Sequence, residues 1–337
     1  MKTILRLAVL TVVGTTALAL AGNALATQKL SVKQTTTSLT IQVSQAQLDA
    51  QPARISIYVP TGYSINASAA PGSKIGSTTG TVFSRDANIP LPLSGDVIVA
   101  PPTTNAPGCD PVPHIAVWNL ALSVAGQNIN LPVHVDQLAG AEAALGAYKL
   151  VVCLGPDDVP LNTPGRSPNG ARLLDATFTV DNVFTVPAGL SVWKAITTPY
   201  APGIGAPNAA ATVETRAYVA NGTVTLAKKV NAPRRLVKFT GKVTQSGTTV
   251  SGAKVTLLVN GKSAGFSART NASGSFSIVL KKTGKKTTST FQARTTVAER
   301  DITTTGCASP TPGVPGGCVN ATASPFTAVS AKIRIRL

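Results

Sequence analysis

The sequence predicts an all-β protein: two β-sandwich units in tandem behind an export signal. Three observations lead there. Short runs of Val, Ile, Thr and Phe alternate with polar residues and are punctuated by Pro and Gly through most of the chain. Helical periodicity is nearly absent; only residues 135–147, with Glu142, Ala143, Ala144 and Leu145, suit a helical turn or two. Charge also segregates. Eighteen of the thirty Lys and Arg residues follow Ala227, beside only two acids, Glu299 and Asp301, whereas residues 27–227 hold ten bases and eleven acids. A near-neutral unit over 27–227 and a basic unit over 228–337 follow, with the boundary near 227–233.

Residues 1–26 read as the signal. Lys2 and Arg6 precede an apolar stretch from Leu7 to about Leu20, and Ala24-Leu25-Ala26 offers a small-x-small cleavage pattern. A membrane anchor would need about 18 or more unbroken apolar residues, and this stretch is interrupted by Thr and Gly. No later segment is apolar enough to span a bilayer, so the expected location is the cell exterior or surface. The four cysteines are an even number, which suits an oxidising compartment. The expected bridges are Cys109–Cys153 and Cys307–Cys318, the second closing the Pro/Gly-rich loop 308–317. No CxxC pair points instead to a metal or redox site.

In the first unit, strands are expected over 38–44, 54–59, 96–100, 115–124, 128–135, 148–154, 176–181, 190–196 and 212–219. Ala125-Gly126-Gln127 reads as a hairpin turn. Residues 61–93 and 156–170, rich in Gly, Ser, Thr and Pro, are expected as large surface loops, a place where function often resides. In the second unit alternation is cleaner. Val237, Phe239 and Val243 share one face of a strand; so do Val255, Leu257 and Val259, and Phe276, Ile278 and Leu280, and Phe291, Ala293, Thr295 and Val297. The terminal run 332–337 alternates Lys332, Arg334 and Arg336 with Ile333, Ile335 and Leu337. Because side chains alternate across a strand, burying the aliphatic set turns the basic set outward, and the cations of the second unit are expected on a single exterior wall. Asn260-Gly261 and Asn271-Ala272-Ser273-Gly274 are turn signals.

Three segments of the second unit carry a resemblance. Gly241-Lys242-Val243-Thr244, then Val250-Ser251-Gly252-Ala253-Lys254-Val255-Thr256-Leu257, then Thr270-Asn271-Ala272-Ser273-Gly274-Ser275-Phe276 stand in order within residues 236–297. This unit resembles carboxypeptidase-regulatory-like (transthyretin-like) and related bacterial immunoglobulin-like domains. The resemblance implies a small sandwich acting as an accessory module, and it transfers no catalytic residue. The first unit is similar in style to uncharacterised secreted bacterial β-proteins.

Signatures of catalysis are missing. No GxSxG or HExxH occurs, and Gly261-Lys262-Ser263 lacks the earlier glycine of a phosphate loop. His114 and His134, with Asp110 and Asp136 close in sequence, are the weak candidates for a metal or a general base. His134 and Asp136 share a strand face that is expected to meet solvent. Two ordinary histidines are the plainer reading, and no cofactor is expected. Asp157-Asp158 offers oxygens for calcium in a loop otherwise expected to be solvated. Trp193, Tyr58 and Tyr200 are candidates for stacking on a sugar, whereas Trp118 shares the parity of Leu120 and Leu122 and is expected in the core.

The basic unit is the stronger lead. Lys238, Lys242, Lys254, Lys332, Arg334 and Arg336 take outward parities, and Lys281, Lys282, Lys285 and Lys286 cluster about Gly284. Such charge attracts anionic envelope polymers or acidic polysaccharide without specificity. Aromatic residues interleaved with the bases, as specific nucleic-acid binding wants, are lacking. The sequence therefore favours a secreted, non-enzymatic protein associated with the bacterial envelope. Carbohydrate binding is the alternative, and an extracellular hydrolase the second.

Overall fold

The computed structural model describes residues 28–35, 37–104, 108–110, 114–185, 187, 189–281, 287–302 and 318–336. The export signal, the bridge Cys307–Cys318 with its loop, and Lys282, Lys285 and Lys286 lie outside the described residues and side chains.

The fold is all-β, and among the described residues helix is limited to short 3-10 turns such as Gly140–Ala144, inside the segment expected to turn helically. In chain order the strands begin with β1 (Lys29–Gln34), β2 (Ser38–Ser44), β3 (Pro52–Val59), β4 (Ser64–Ile65), β5 (Lys74–Ser84), β6 (Ile89–Ala100), β7 (Ala116–Val124) and β8 (Gln127–Gln137). Then come β9 (Tyr148–Cys153), β10 (Ala171–Asp181), β11 (Phe184–Thr185), β12 (Ser191–Pro199), β13 (Val213–Val219), β14 (Gly222–Val224), β15 (Ala227–Asn231), β16 (Leu236–Gln245) and β17 (Thr248–Thr249). The last are β18 (Lys254–Val259), β19 (Lys262–Arg269), β20 (Ser275–Lys281), β21 (Thr288–Val297), β22 (Arg300–Ile302), β23 (Cys318–Ala323), β24 (Phe326–Val329) and β25 (Ile333–Arg336).

Thirteen strands form one sheet in the order β1-β2-β10-β5-β6-β7-β8-β9-β3-β12-β13-β23-β22. It is long enough to curl on itself, and glycine makes the curl possible. A Cβ built on Gly76 would fall 1.9 Å from Thr179 O, one on Gly80 2.2 Å from Asp175 O, and one on Gly95 2.0 Å from Ala121 O. At these points β5 approaches β10, and β6 approaches β7, closer than any side chain permits. The sheet stays open in its hydrogen bonding, yet its edges meet. β1 lies against β13 and β23. Across that contact the buried Thr322 Oγ1 donates to Leu30 O at 2.8 Å, and Lys29 Nζ reaches Glu299 at 3.3 Å and Asp301 at 2.7 Å.

The inward row of nearly every strand feeds one core, with Leu30, Ile41, Val59, Trp118, Val135, Leu150 and Trp193 among its most buried members. One end is aromatic. Trp118 stacks on Phe178, and Phe184 meets Trp118, Trp193 and Tyr63 edge-on. Trp193 Nε1 donates to Tyr63 Oη at 3.2 Å, and the Tyr63 hydroxyl in turn donates to Gln34.

Residues 61–93, expected as a surface loop, instead contain β4, all of β5 and the first part of β6. Gly, Thr and Pro mask the alternation there. Pro90 and Pro92 are tolerated because β6 has only β5 beside it at those positions; its pairing with β7 begins at Leu93. Residues 156–170 are a loop, as expected, ending in a 3-10 turn at Pro168–Gly170.

The second core gathers Val224, Val237, Phe239, Val255, Leu257, Phe276, Phe291 and Ile335 between two five-stranded sheets. In one, β16 is flanked by β14 and β15 on one side and by β17 and β20 on the other; in the second the order is β19-β18-β21-β24, with β25 also on β21. The three motif segments are structural here. Thr270 Oγ1 donates to Val250 O at 2.6 Å and accepts from Ala253 N at 2.9 Å. Asn271 Oδ1 accepts from the amides of Ser273 and Ser275, and Gly274 completes the turn at φ 71°.

The two units are threaded through each other. After β21 the chain returns to the first sheet as β22 and β23, the latter parallel to β13, before ending in the second sandwich. β22 and β23, read from sequence as part of the basic unit, thus supply an edge of the first sheet. Buried Gln245 pins the crossing, donating to Ala220 O at 3.0 Å and Ser324 O at 2.9 Å.

Cys109 and Cys153 are bonded, closing a separation of 44 residues. Replacing both with Ala is expected to lower the free energy of unfolding by about 2–4 kcal/mol, measured by urea denaturation beside the oxidised wild type. Gly95→Ala is expected to cost about 3 kcal/mol in the same assay, because backbone rather than a flexible side chain must yield.

Candidate functional sites

Three places in the fold hold chemistry: the cationic faces of the second unit, a polar cluster on the first sheet, and a hollow inside that sheet.

Alternation puts Lys238, Lys242, Lys254, Arg294, Arg334 and Arg336 on the surface as expected, and Lys332 is exposed beside them. It does not put them on one wall. Lys238 and Lys242 stand on β16, with Lys229 opposite Lys238, on the outer face of one sheet. Lys254 and its partner Arg269 stand on the other sheet with Arg294, and Arg334 and Arg336 flank Thr290 and Thr288 there. In/out parity is the same for both sheets of a sandwich, so it cannot tell the two outer faces apart. The only acids after residue 227, Glu299 and Asp301, turn to Lys29 of the first unit. None of the six outward bases forms an ion pair with a described carboxylate.

The histidines and aspartates do meet. His114 Nδ1 lies 2.7 Å from Asp136 Oδ1, and the His114 and His134 rings stack with centroids 4.4 Å apart. Asp110 is held by Arg54 at 2.9 Å and Lys149 at 3.5 Å; Lys149 also reaches Glu142 at 3.5 Å and Asp136 at 4.0 Å. The cluster lies on the outer face of β3, β8 and β9, beneath Cys109, Asp110 and His114, which the disulfide anchors to β9. His134, expected to face solvent, is therefore 0 % exposed. Among the described residues neither of its ring nitrogens has a hydrogen-bond partner. Burial depresses its pKa, and the neighbouring His114 adds to the effect. The two carboxyls split. Burial raises Asp136, with Asp110 reinforcing it; Asp110, despite its own burial, is drawn below the usual range by its bond to Asp136 and by Arg54 and Lys149. No group of three His, Cys, Asp or Glu side chains suited to a metal occurs among the described residues. Arg54, Glu142 and Lys149 were not legible as members, because they come from strands and turns that only the register brings together.

Two of the three stacking candidates are inside, and Tyr200 is half-buried. Trp193 is 0 % exposed; its row Ser191, Ala195 and Thr197, polar and small enough to suggest an outer face, is the inward one. Tyr58 is buried, with its hydroxyl donating to Glu142 at 3.2 Å, and Tyr200 donates to Leu154 O at 2.6 Å. Asp157 is no calcium ligand in waiting: it is buried, 2.7 Å from Arg172 and 3.6 Å from Arg85. Asp158 Oδ2 accepts from Gly203 N. Lys262 and Ser263 sit on a strand after the Asn260-Gly261 turn, not at a helix start.

Sequence reading also missed a cavity of about 250 Å³ inside the curled sheet, lined almost wholly by aliphatic side chains. Among the described residues no helix is long and apolar enough to cross a membrane.

No family model matches the chain, and no curated protein matches it. Among solved structures, the tetra-tandem repeat in the extending region of a large adhesion protein aligns over 93% of this chain and 99% of its own, at 10% identity and a TM-score of 0.22. A superposition that loose carries no argument about fold or function.

The polar cluster makes a pH prediction. Burial holds the His134 pKa in the fold below its ordinary value of 6.5, so the unfolded chain takes up its proton first as pH falls through that value and the stability present above it is lost. Asp136 acts in the opposite sense nearer the carboxylate range. Between about pH 7.5 and 5.5, melting temperature should fall in the wild type and fall less in His134→Phe. At the upper pH the variant should lie within about 1 kcal/mol of wild type, since the nitrogens it removes are unpartnered.

Proposed function

We propose that the chain is an exported, non-enzymatic β protein held at anionic material of the bacterial envelope by its basic second unit. The observation that carries this reading is the pair of unpaired cationic faces. Lys238 and Lys242 on one side, and Lys254, Arg294, Arg334 and Arg336 on the other, have no acid of their own unit to neutralise them. Charge on both outer faces suits a module embedded among flexible polyanions better than one docked on a single flat partner. The unit is taken to be a carboxypeptidase-regulatory-like accessory sandwich, on the strength of the turn built by Thr270, Asn271 and Gly274. The Cys109–Cys153 bond favours an oxidising compartment.

The carbohydrate reading loses two of its three aromatics, since Trp193 and Tyr58 are enclosed. A hydrolytic reading has its four residues assembled, but both histidines are covered.

Retention on isolated cell walls and on polygalacturonate beads should be strong at low salt and lost by about 0.5 M NaCl, where the screening length is well under 10 Å. Lys238→Glu/Lys242→Glu and Lys254→Glu/Arg294→Glu/Arg334→Glu should each weaken it by about tenfold or more at low salt. Binding indifferent to both salt and charge reversal contradicts the proposal.

A further inference from the structure

The interior of the first sheet changes character along its length. The end holding Trp118, Phe184 and Trp193 is tightly filled by aromatic rings. Beyond Phe178, which belongs to both regions, the filling stops and the cavity of about 250 Å³ begins. Leu122, Ile129, Leu131, Leu154 and Leu173 line it. That volume exceeds the roughly 150 Å³ at which a dry apolar cavity already binds small hydrocarbons, and approaches the range of ordinary ligand pockets. Close-packed interiors do not keep such a space by accident of side-chain choice alone. The inward row of β5 contributes Thr78 and Val82 to its wall.

Four polar side chains enter the otherwise aliphatic lining, Gln51, Thr78, Arg166 and Ser167, and Gln51 and Ser167 are hydrogen-bonded to backbone. Thr78 is 1 % exposed, lines the cavity, and among the described residues its Oγ1 has no hydrogen-bond partner. An unpaired buried hydroxyl is costly, and buried polar groups are almost always satisfied. An oxygen placed in the hollow would satisfy it. Charge is not what the hollow asks for. Its one charged lining residue, Arg166, already directs its guanidinium to Asp86 at 2.6 and 3.1 Å and to Val159 O at 2.9 Å. Arg166 belongs to the Gly165–Pro168 stretch of the loop 155–170, which covers this end of the cavity. The loop is fastened by the buried Asp157–Arg172 pair and by Ser167 N donating to Pro156 O.

We propose that the cavity is a binding site for a neutral aliphatic molecule carrying a single hydrogen-bonding oxygen, which pairs with the Thr78 hydroxyl while the hydrocarbon fills the space beneath the loop 155–170. The site is independent of the cationic faces, and its success or failure leaves the envelope proposal where it stands.

Equilibrium dialysis of radiolabelled dodecan-1-ol against the purified chain tests this, with dodecane and dodecanoate as competitors. The expected result is saturable binding of one dodecanol per chain, displaced by dodecane and poorly by dodecanoate. Ala176→Phe, which fills the space beside Gly80, should weaken binding at least twentyfold. Thr78→Val keeps the volume and removes the hydroxyl, so it should weaken dodecanol about three- to tenfold and leave dodecane unchanged. Near-UV circular dichroism checks that each variant folds, and Thr78→Val carries the test if Ala176→Phe does not. Absence of saturable binding to folded wild type overturns the proposal. So does a folded Ala176→Phe that binds as wild type, or a Thr78→Val whose preference for dodecanol over dodecane is unchanged.

Discussion

The meeting of the two edges of the thirteen-stranded sheet is the constraint on which the rest of the molecule depends. A sheet this wide has too much apolar surface on one face to leave flat, and no second sheet of its own to cover it. It solves the problem by bending until β1 reaches β13 and β23. The bond from Thr322 to Leu30 O is buried and neutral, so it is unscreened; the Lys29 pairs beside it are partly exposed and contribute less. Without that meeting, Leu30 and Val32 would be the first apolar side chains to face water.

Bending has two further results, one on each side of the sheet. Inside, the curled strands enclose a hollow where a flat sandwich would have interdigitated side chains. Outside, the convex face at β3, β8 and β9 is roofed by the segment that Cys109 ties down. Roofing a charged face is costly unless the charges find one another, and here they do: Arg54 and Lys149 are matched to Asp110, Asp136 and Glu142. His134 is the member left without a bond among the described residues, which is why its proton is the one the fold refuses.

Much of the architecture was legible because alternation is a direct consequence of strand geometry. Val237, Phe239, Phe276, Ile278 and Phe291 are buried where parity put them, and Asn260-Gly261 and Ala125-Gly126 turn with positive φ. What alternation cannot express is curvature, or which of two parallel walls a residue belongs to. The β5–β6 hairpin was lost to the eye because Gly76, Gly80 and Gly95, whose lack of a side chain permits the bend, are the residues that look like loop. Trp193 was misplaced because its inward neighbours Ser191, Ala195 and Thr197 are small rather than oily. The polar cluster depended on Arg54, Asp110, His134 and Lys149 arriving from four separate segments. Nothing in local pattern announces such a convergence.

Because β22 and β23 come from beyond residue 297, the first body of the molecule cannot be sealed by its own stretch of chain. Synthesis proceeds from the amino end, so the leading two hundred residues must wait, half-wrapped, while most of the second sandwich is made. The trailing segment then acts as a latch. Truncation anywhere upstream of it leaves an unlatched shell rather than a shorter version of the same protein.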